Sequence, residues 1–370
     1  MFLLIIILFS SILYIITNKV YSKHWDKGLS VDIKLSPKEI IEGNNAKLIE
    51  VIRKEGILPL PSLHIKFKAS KYFNFQNQVN SNITDNYYRS DVFSIIGHKK
   101  ITRTLDFIAT KRGYYTIDSI DIIASNIFLS KNYISVIDNN TCIYVYPKTI
   151  PQKEIQIPLD NILGDYIAKK SLNEDPFEFR GIRNYQPYDT FSSINWKVTA
   201  KSNTIMVNQY NFTSSLEAEI LFNADLPNFK SHEFGEMGIR IVATLAATIC
   251  KFSIPLKFKT NAYDILTNNI INIPTSTGPN QLRLINESLA KIDLLADTND
   301  FISILNNDSD KETLKIIVSA DCRDSILNAY RDLKTKNKNV ILIIPTSSDD
   351  KKVNIGNEND VFIWEVKNNE

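Results

Sequence analysis

The sequence is poor in the residues on which metal sites, disulfide frameworks and flexible chains depend. Of its 370 residues, 3 are Cys and 4 are His. Cys142, Cys250 and Cys322 lie far apart and outside any C-x-x-C spacing, which argues against a zinc ribbon and against a disulfide framework. The 11 Gly and 13 Pro are too few for a fibrous or broadly disordered chain. We therefore expect globular domains with ordinary hydrophobic cores.

A strong net charge is also missing. The 43 Lys and Arg residues nearly balance the 41 Asp and Glu residues, and the net charge is +2. Such a chain has no field that would attract nucleic acid, so we expect no nucleic-acid partner. One locally basic run fits the solvent faces of a hairpin, with contact to anionic lipid as the alternative. Its members are Lys99, Lys100, Arg103, Lys111 and Arg112.

Motifs for catalysis and nucleotide binding are absent from the sequence. The four His residues are dispersed, and none belongs to an H-x-x-x-H or H-E-x-x-H arrangement. The Gly residues form neither a G-x-G-x-x-G run nor a Walker pattern. We expect no catalytic residues, no cofactor and no small-molecule substrate.

The amino terminus is the most apolar part of the chain. Residues 1–18 have no charged side chain, and as a helix they extend roughly 26 Å, slightly less than the ~30 Å hydrocarbon core of a bilayer. We predict a single-pass transmembrane helix over residues 1–18, with a signal peptide and a buried core helix as alternatives. Lys19, Lys23 and Lys27 follow this run and no base precedes it. The positive-inside tendency then predicts a cell-membrane protein whose carboxyl-terminal body is cytoplasmic.

Two different periodicities follow. Residues 29–148 alternate apolar and polar positions between regular turn signals, as in LHIKFKA and YYTIDSIDIIA, which predicts an immunoglobulin-like all-β sandwich. It could serve as a spacer or as a ligand-binding module. Over residues 216–370 apolar strands alternate with stretches of helical spacing, which predicts a doubly wound α/β domain. Residues 160–215 form a connecting segment that leads into this domain.

Acidic groups follow two predicted strands of the α/β domain. Asp225 follows the first strand, and Ser319 and Asp321 follow a later one. The carboxyl ends of strands in such sheets are where ligands bind, and oxygen ligands suit magnesium or calcium. Because strand-end carboxylates also serve as turn residues and helix caps, we do not expect a metal site here.

The connecting segment is the densest in distinctive residues. Arg180 and Arg183 can present forked donors to carboxylates, and Asp175, Glu178 and Asp189 are the nearby acceptors. Trp196 is a large side chain whose indole N–H needs a partner if it is buried. Two interpretations remain open. The segment either packs across the sheet and holds the two domains together, or presents a surface to a partner protein.

At FRGIRNYQPYDTFSSINWKVTAKSNTIMVNQY the sequence resembles the bacterial family called domain of unknown function 58. Its usual signature is F-R-x-x-R-x-Y-x-x-G-D, then I-x-W-x-x-x-A and M-V. Tyr188 stands where the family usually has Gly. The positions that match are Phe179, Arg180, Arg183, Tyr185, Asp189, Ile194, Trp196, Ala200, Met206 and Val207.

The resemblance extends over almost the whole chain and implies a membrane anchor, a β domain and a von Willebrand factor A-like α/β domain. Members commonly begin with two membrane helices, whereas one is visible here. A metal-binding domain of that type uses D-x-S-x-S after its first strand, and this chain has Asn223, Asp225 and Pro227 at those places. The site is therefore degraded, although Asp321 fits the later acidic position.

The family is often encoded beside MoxR-type AAA+ ATPases, so the resemblance implies a non-enzymatic scaffold or adaptor that cooperates with such an ATPase in maturing client proteins. An extracellular metal-dependent adhesion module and a divalent-metal hydrolase are the alternatives. The residues expected to bind the partner or hold the segment together are Phe179, Arg180, Arg183, Tyr185, Asp189, Trp196 and Lys197.

Overall fold

The structure is a computed structural model that describes residues 2–151, 174–186, 189–202, 204–212, 217–226, 232–306, 313–346 and 360–365. The chain divides into two compact units. The first contains residues 1–148 with 289–291, and the second contains residues 149–288 and 292–370. The predicted connecting segment, residues 160–215, lies partly outside the described residues.

Helix α1, Phe2–His24, begins the first unit. The predicted span over residues 1–18 falls on this helix, which continues to His24. Its apolar part is exposed, whereas Tyr21 and Trp25, in and just after its last turn, belong to the core of the following domain. The ammonium of Lys54 donates to the carbonyls of Trp25 and Lys27, at 2.9 and 2.8 Å. The end of the helix is therefore built into the fold of the first unit.

The rest of the first unit is a β-sandwich, as the period-two alternation predicted. One sheet has the strand order β1-β3-β8-β5 and the other the order β2-β10-β9-β4-β7-β6. Inward positions carry the apolar side chains that form the core between the sheets. The strands are β1 Leu29–Ser36, β2 Glu39–Ile41, β3 Asn45–Lys54, β4 Leu60–Ala69, β5 Phe73–Phe75, β6 Ser81–Ile83, β7 Tyr87–Ile95, β8 Lys99–Ala109, β9 Gly113–Ser125 and β10 Asn132–Tyr146.

A charged cluster interrupts this apolar core. Glu50, Arg89 and Asp91 are inward and fully buried, on β3 and β7. Asp91 pairs with Arg89 at 2.6 Å and with the half-buried Arg103 of β8 at 2.9 Å. No donor among residues 2–151 reaches either carboxyl oxygen of Glu50. Burial and the neighbouring Asp91 charge raise the pKa of Glu50 to about 8.

The first strands that the structure describes in the second unit form a small hairpin. Strand β11, Glu174–Asn184, pairs antiparallel with β12, Met206–Phe212. Between them lie a 3-10 helix, Phe191–Ser193, and helix α2, Trp196–Ser202. We call the described residues of 174–212 the hairpin module.

A doubly wound α/β sheet follows, with the strand order β15-β14-β13-β16-β17-β18. All its strands are parallel except β15 at the edge, which runs antiparallel to β14. The strands are β13 Ala218–Asn223, β14 Leu256–Tyr263, β15 Ile270–Ser276, β16 Leu314–Ser319, β17 Val340–Thr346 and β18 Val361–Glu365. The helices are α3 His232–Lys251, α4 Gly278–Ala290, α5 Phe301–Asn306 and α6 Asp324–Lys336.

Helices cover both faces of this sheet. On one face α3 packs so closely that a Cβ at Gly238 would lie 3.0 Å from Phe222 of β13. On the other, α5 and α6 share a core with Leu221 and Ile317 of the central strands. The edge strand β15 and the short helix α5 were not among the predicted elements. The alternating exposure of the first half of β15 fits an edge strand, whereas the central strands β13 and β16 are buried along their whole length.

Candidate functional sites

The carboxyl ends of β13 and β16 meet at the point where the strand order reverses, the usual place for ligands in such sheets. Here buried polar side chains fill that place. The Asn223 amide donates to the Ser319 hydroxyl at 3.0 Å, and the Asn261 amide donates to the Asn223 oxygen at 3.1 Å. The Ser319 hydroxyl in turn donates to the Asp321 carbonyl at 2.8 Å. The strand ends are therefore joined by direct hydrogen bonds.

The two predicted carboxylates at this edge are both occupied by side chains of the chain itself. Arg323 donates from Nε and Nη2 to Asp321 Oδ2, at 2.8 and 2.6 Å, and its Nε also lies 3.0 Å from Oδ1. Asp225 accepts a hydrogen bond from the Thr298 hydroxyl. The pairing with Asp321 and the charge of Asp225 raise the pKa of the Arg323 guanidinium. The positively charged guanidinium of Arg323 thus binds the Asp321 oxygens that a metal ion would need.

The structure therefore brings Asp225, Ser319 and Asp321 to one end of the sheet, as expected from their strand-end positions. Within the described residues, no group of three or more His, Cys, Asp or Glu side chains is placed to hold a metal ion. Sequence reasoning missed Asn261 and Arg323. An Arg two residues after a strand-end Asp was the available signal for the ion pair.

We predict that the folded chain gives no calorimetric signal with magnesium, calcium or manganese, because Arg323 already holds Asp321. Arg323→Ala is the matched variant, since it leaves both carboxylates in place without the guanidinium. Manganese binding by Arg323→Ala alone would show that the arginine excludes the metal. Binding by the unaltered chain would contradict this interpretation of the site.

In the hairpin module, Arg183 and Asp189 form a two-pronged ion pair. Arg183 Nη1 and Nη2 donate to the two Asp189 oxygens at 2.6 and 2.5 Å. Asp189 also accepts from the Gln186 backbone N–H at 2.8 Å, closing the turn after β11. The Arg183 hydrogen bonds lower the pKa of the Asp189 carboxyl. This pair positions the chain that follows the strand.

A second set of bonds ties helix α2 to the hairpin. The Asn195 side-chain oxygen accepts from the Val198 N–H at 3.1 Å and so caps the helix, while its amide donates to Asn208 at 2.7 Å. The Thr199 hydroxyl accepts from the Met206 N–H at 3.0 Å. Ile194 and Val207 are buried between these elements. The module therefore has a polar framework around a very small apolar core.

Three aromatic side chains of the module are exposed. Trp196 is 67% exposed, Phe191 76% and Phe179 57%. Lys197 and Lys201, also exposed, give α2 two positive charges. Tyr185 stacks on Phe191 with ring centroids 6.3 Å apart. Trp196 is therefore not a buried packing residue.

The other signature residues have different roles. Arg183 and Asp189 form the ion pair, and Ile194 and Val207 form the small core. The side chain of Arg180 and residues 187 and 188 lie outside the described residues, so the predicted role of Arg180 and the effect of Tyr188 at the turn stay predictions.

Together these features define a protein with an apolar amino-terminal helix, a β-sandwich and a doubly wound α/β unit preceded by an exposed aromatic hairpin. Residues 181–357 match the family model "Protein of unknown function DUF58", and this part of the chain belongs to that family. No curated protein sequence matches the chain.

Solved structures resemble a third of the chain. A CARDB domain from Pyrococcus furiosus is 13% identical, with 31% of this chain and 90% of that chain covered and a TM-score of 0.20. A non-cellulosomal cohesin from Archaeoglobus fulgidus is 13% identical, with 35% and 97% covered and a TM-score of 0.22. A type II cohesin domain from the cellulosome of Acetivibrio cellulolyticus is 8% identical, with 32% and 94% covered and a TM-score of 0.24.

Proposed function

We propose that this protein is a membrane-anchored, non-enzymatic adaptor whose hairpin module binds a partner protein. The partner that the family resemblance implies is a MoxR-type AAA+ ATPase, which would act with the adaptor on client proteins. The observation that carries the proposal is the outward display of Phe179, Phe191 and Trp196 on a bonded framework. Exposed aromatic residues on a rigid support are the usual anchors of protein interfaces.

The membrane anchor is supported by how α1 ends. The helix is long and apolar enough to cross a bilayer. A cleaved signal peptide has no role in the mature fold, whereas Tyr21 and Trp25 lie in the sandwich core and Lys54 bonds to the carbonyls that follow the helix. These contacts favour a retained anchor. The cytoplasmic orientation of the body is part of the proposal and rests on Lys19, Lys23 and Lys27.

The α/β unit supports a von Willebrand factor A-like assignment through its strand order and its antiparallel edge strand. We propose that it binds without a bridging metal, because Arg323 occupies the Asp321 oxygens. The alternatives, a metal-dependent adhesion module and a divalent-metal hydrolase, both need those oxygens free. The geometry gives the adaptor more support than either. Cleavage of the body by protease added to intact cells would refute the cytoplasmic orientation.

Capture of a purified MoxR-type ATPase by the detergent-solubilised chain is the direct test. We expect Trp196→Ala to weaken capture at least tenfold, as loss of an interface anchor of about 2 kcal/mol does. Thermal unfolding should not change, because the side chain is largely exposed. Phe252→Ala is the matched control, since Phe252 is 58% exposed but lies outside the module.

Arg183→Glu distinguishes a structural role of the hairpin module from a direct role in binding the ATPase. The substitution places two carboxylates together, so we expect both the stability of the module and capture to fall. If Trp196→Ala lowers the unfolding temperature as much as Arg183→Glu does, the module is structural. If Trp196→Ala and Phe252→Ala capture the ATPase equally well, the module is not the binding surface.

A further inference from the structure

The loops at one end of the β-sandwich differ in chemistry from those at the other. Strand pairing places three connections at the end where α1 joins: residues 55–59, 96–98 and 126–131. Each carries an exposed large apolar side chain. These are Ile57, Ile96, Ile127, Phe128 and Leu129.

The turns at the opposite end are polar. They read Glu-Gly-Asn at 42–44, Ser-Lys-Tyr at 70–72, Thr-Asp-Asn at 84–86 and Thr-Lys-Arg at 110–112. Apolar tips thus occur at the end that joins the membrane helix. Exposed lysines border them, namely Lys99, Lys100 and Lys131.

The β9–β10 tip touches the apolar part of α1 directly. The Phe128 ring lies 5.7 Å from the Tyr14 ring, between centroids, and the Tyr14 hydroxyl donates to Ser130 at 3.1 Å. One turn further along the helix, Asn18 accepts from the Asn126 amide at 2.6 Å. The tip is therefore fixed beside a helical segment whose other faces are exposed.

The position of the first charged residue of α1 determines how deep this tip lies. No charged side chain occurs from Phe2 to Asn18, and Lys19 is the first. In a bilayer the uncharged part of a helix lies in the hydrocarbon core, and the first lysine lies near its surface. Tyr14 is five residues, about 7 Å, before Lys19 along the helix. Tyr14 then lies below the surface of the hydrocarbon core, and the residues in contact with Tyr14 lie at the same depth.

We propose that the apolar tips of loops 55–59, 96–98 and 126–131 contact the bilayer, with Phe128 and Leu129 inserted among the acyl chains and the bordering lysines on lipid phosphates. This inference rests on the membrane anchor under Proposed function. Apolar tips with flanking lysines are typical of peripheral membrane contact, which adds buried apolar area to electrostatic attraction. The end of the sandwich is then a second membrane attachment.

The test uses the full chain in phosphatidylcholine and phosphatidylglycerol vesicles, with Cys142, Cys250 and Cys322 replaced by Ala. A nitrobenzoxadiazole fluorophore is attached to one new cysteine, in the variants Phe128→Cys, Asp85→Cys and Ile7→Cys. Asp85 lies in a polar turn at the opposite end, and Ile7 lies in the middle of the apolar helix. All three positions are exposed, so the substitutions are compatible with the fold.

We expect lipids with an acyl-chain nitroxide to quench the probes at 128 and 7 severalfold more than the probe at 85. Quenching at 7 but not at 128 would overturn the loop contact and leave the anchor intact. No quenching at 7 would overturn the anchor itself. Protection of the 128 probe from aqueous iodide without quenching by lipid would show that protein covers the tip.

Discussion

Between about pH 5 and pH 8 the β-sandwich is expected to lose about 4 kcal/mol of its free energy of unfolding, and Glu50→Gln is expected to remove this loss. Glu50 is fully buried, and its pKa is raised from 4.5 to about 8, first by desolvation and then by Asp91. The charges of Arg89 and Arg103 act in the opposite direction.

The direction in which the free energy of unfolding changes with pH follows from proton binding by Glu50. In the unfolded chain Glu50 loses its proton near pH 4.5, whereas in the folded sandwich it keeps the proton until about pH 8. Between these values the folded state binds more protons, so stability falls as pH rises, by about 1.4 kcal/mol per pH unit. Below this window Glu50 is protonated in both states and contributes no slope. Gln keeps the shape and the hydrogen-bond donor of the protonated acid but cannot ionise.

The measurement is denaturant unfolding of the full chain in detergent, followed by the fluorescence of Trp25 after Trp196 and Trp364 are replaced by Phe. Trp25 reports on the sandwich because it belongs to its core. Glu55→Gln, at an exposed carboxyl, is the matched control and should keep the slope of the unaltered protein. A slope that survives Glu50→Gln would assign the pH dependence to another group.

Arg89→Met is expected to destabilise the sandwich by about 3 to 5 kcal/mol, because it leaves buried charge without its partner. Arg89 is fully buried and donates to Asp91 at 2.6 Å, to the Asn77 carbonyl at 2.8 Å and to the Tyr87 hydroxyl at 3.0 Å. Removing the guanidinium leaves Asp91 with Arg103 alone and leaves Glu50 beside a carboxylate that is less well neutralised. The same Trp25 fluorescence assay measures the effect.

Adding Asp91→Leu to Arg89→Met is the control that separates charge from packing. A buried ion pair replaced entirely by apolar side chains of similar volume is often as stable as the original. We therefore expect the double variant to recover most of the loss. If it is no more stable than Arg89→Met, the arginine acts through its bonds to Asn77 and Tyr87 instead of through the ion pair.

The sandwich could be predicted from sequence because most of its strands alternate apolar and polar positions, and the doubly wound sheet because short, mainly apolar strands alternate with stretches of helical spacing. The buried cluster could not be predicted. Glu50, Arg89 and Asp91 occupy inward positions of β3 and β7, where the period-two rule expects apolar residues. Arg89 and Asp91 pair along one strand, but Glu50 of β3 and Arg103 of β8 join them from other strands. Which charges of different strands meet depends on strand register, which the local pattern does not specify.

In the candidate sites, too, some features could be predicted from the sequence and others could not. Asp189 could be predicted as an acceptor for Arg183 because the two residues are close in sequence, on either side of a predicted turn. Asp321 could be placed at a strand end, but its ion pair with Arg323 could not, since a strand-end carboxylate looks alike in a metal site and in a salt bridge. The exposure of Trp196 could not be predicted, because aromatic residues that pack and aromatic residues that bind have the same sequence signal.

The joint between α1 and the sandwich has a mechanical consequence. Tyr21 and Trp25 are packed into the core, and Lys54 bonds to the carbonyls of Trp25 and Lys27. No flexible linker separates helix from domain, so a pulling force on the sandwich passes directly into the helix. In the membrane-anchored protein proposed above, tilting the sandwich relative to the bilayer therefore requires tilting the helix with it.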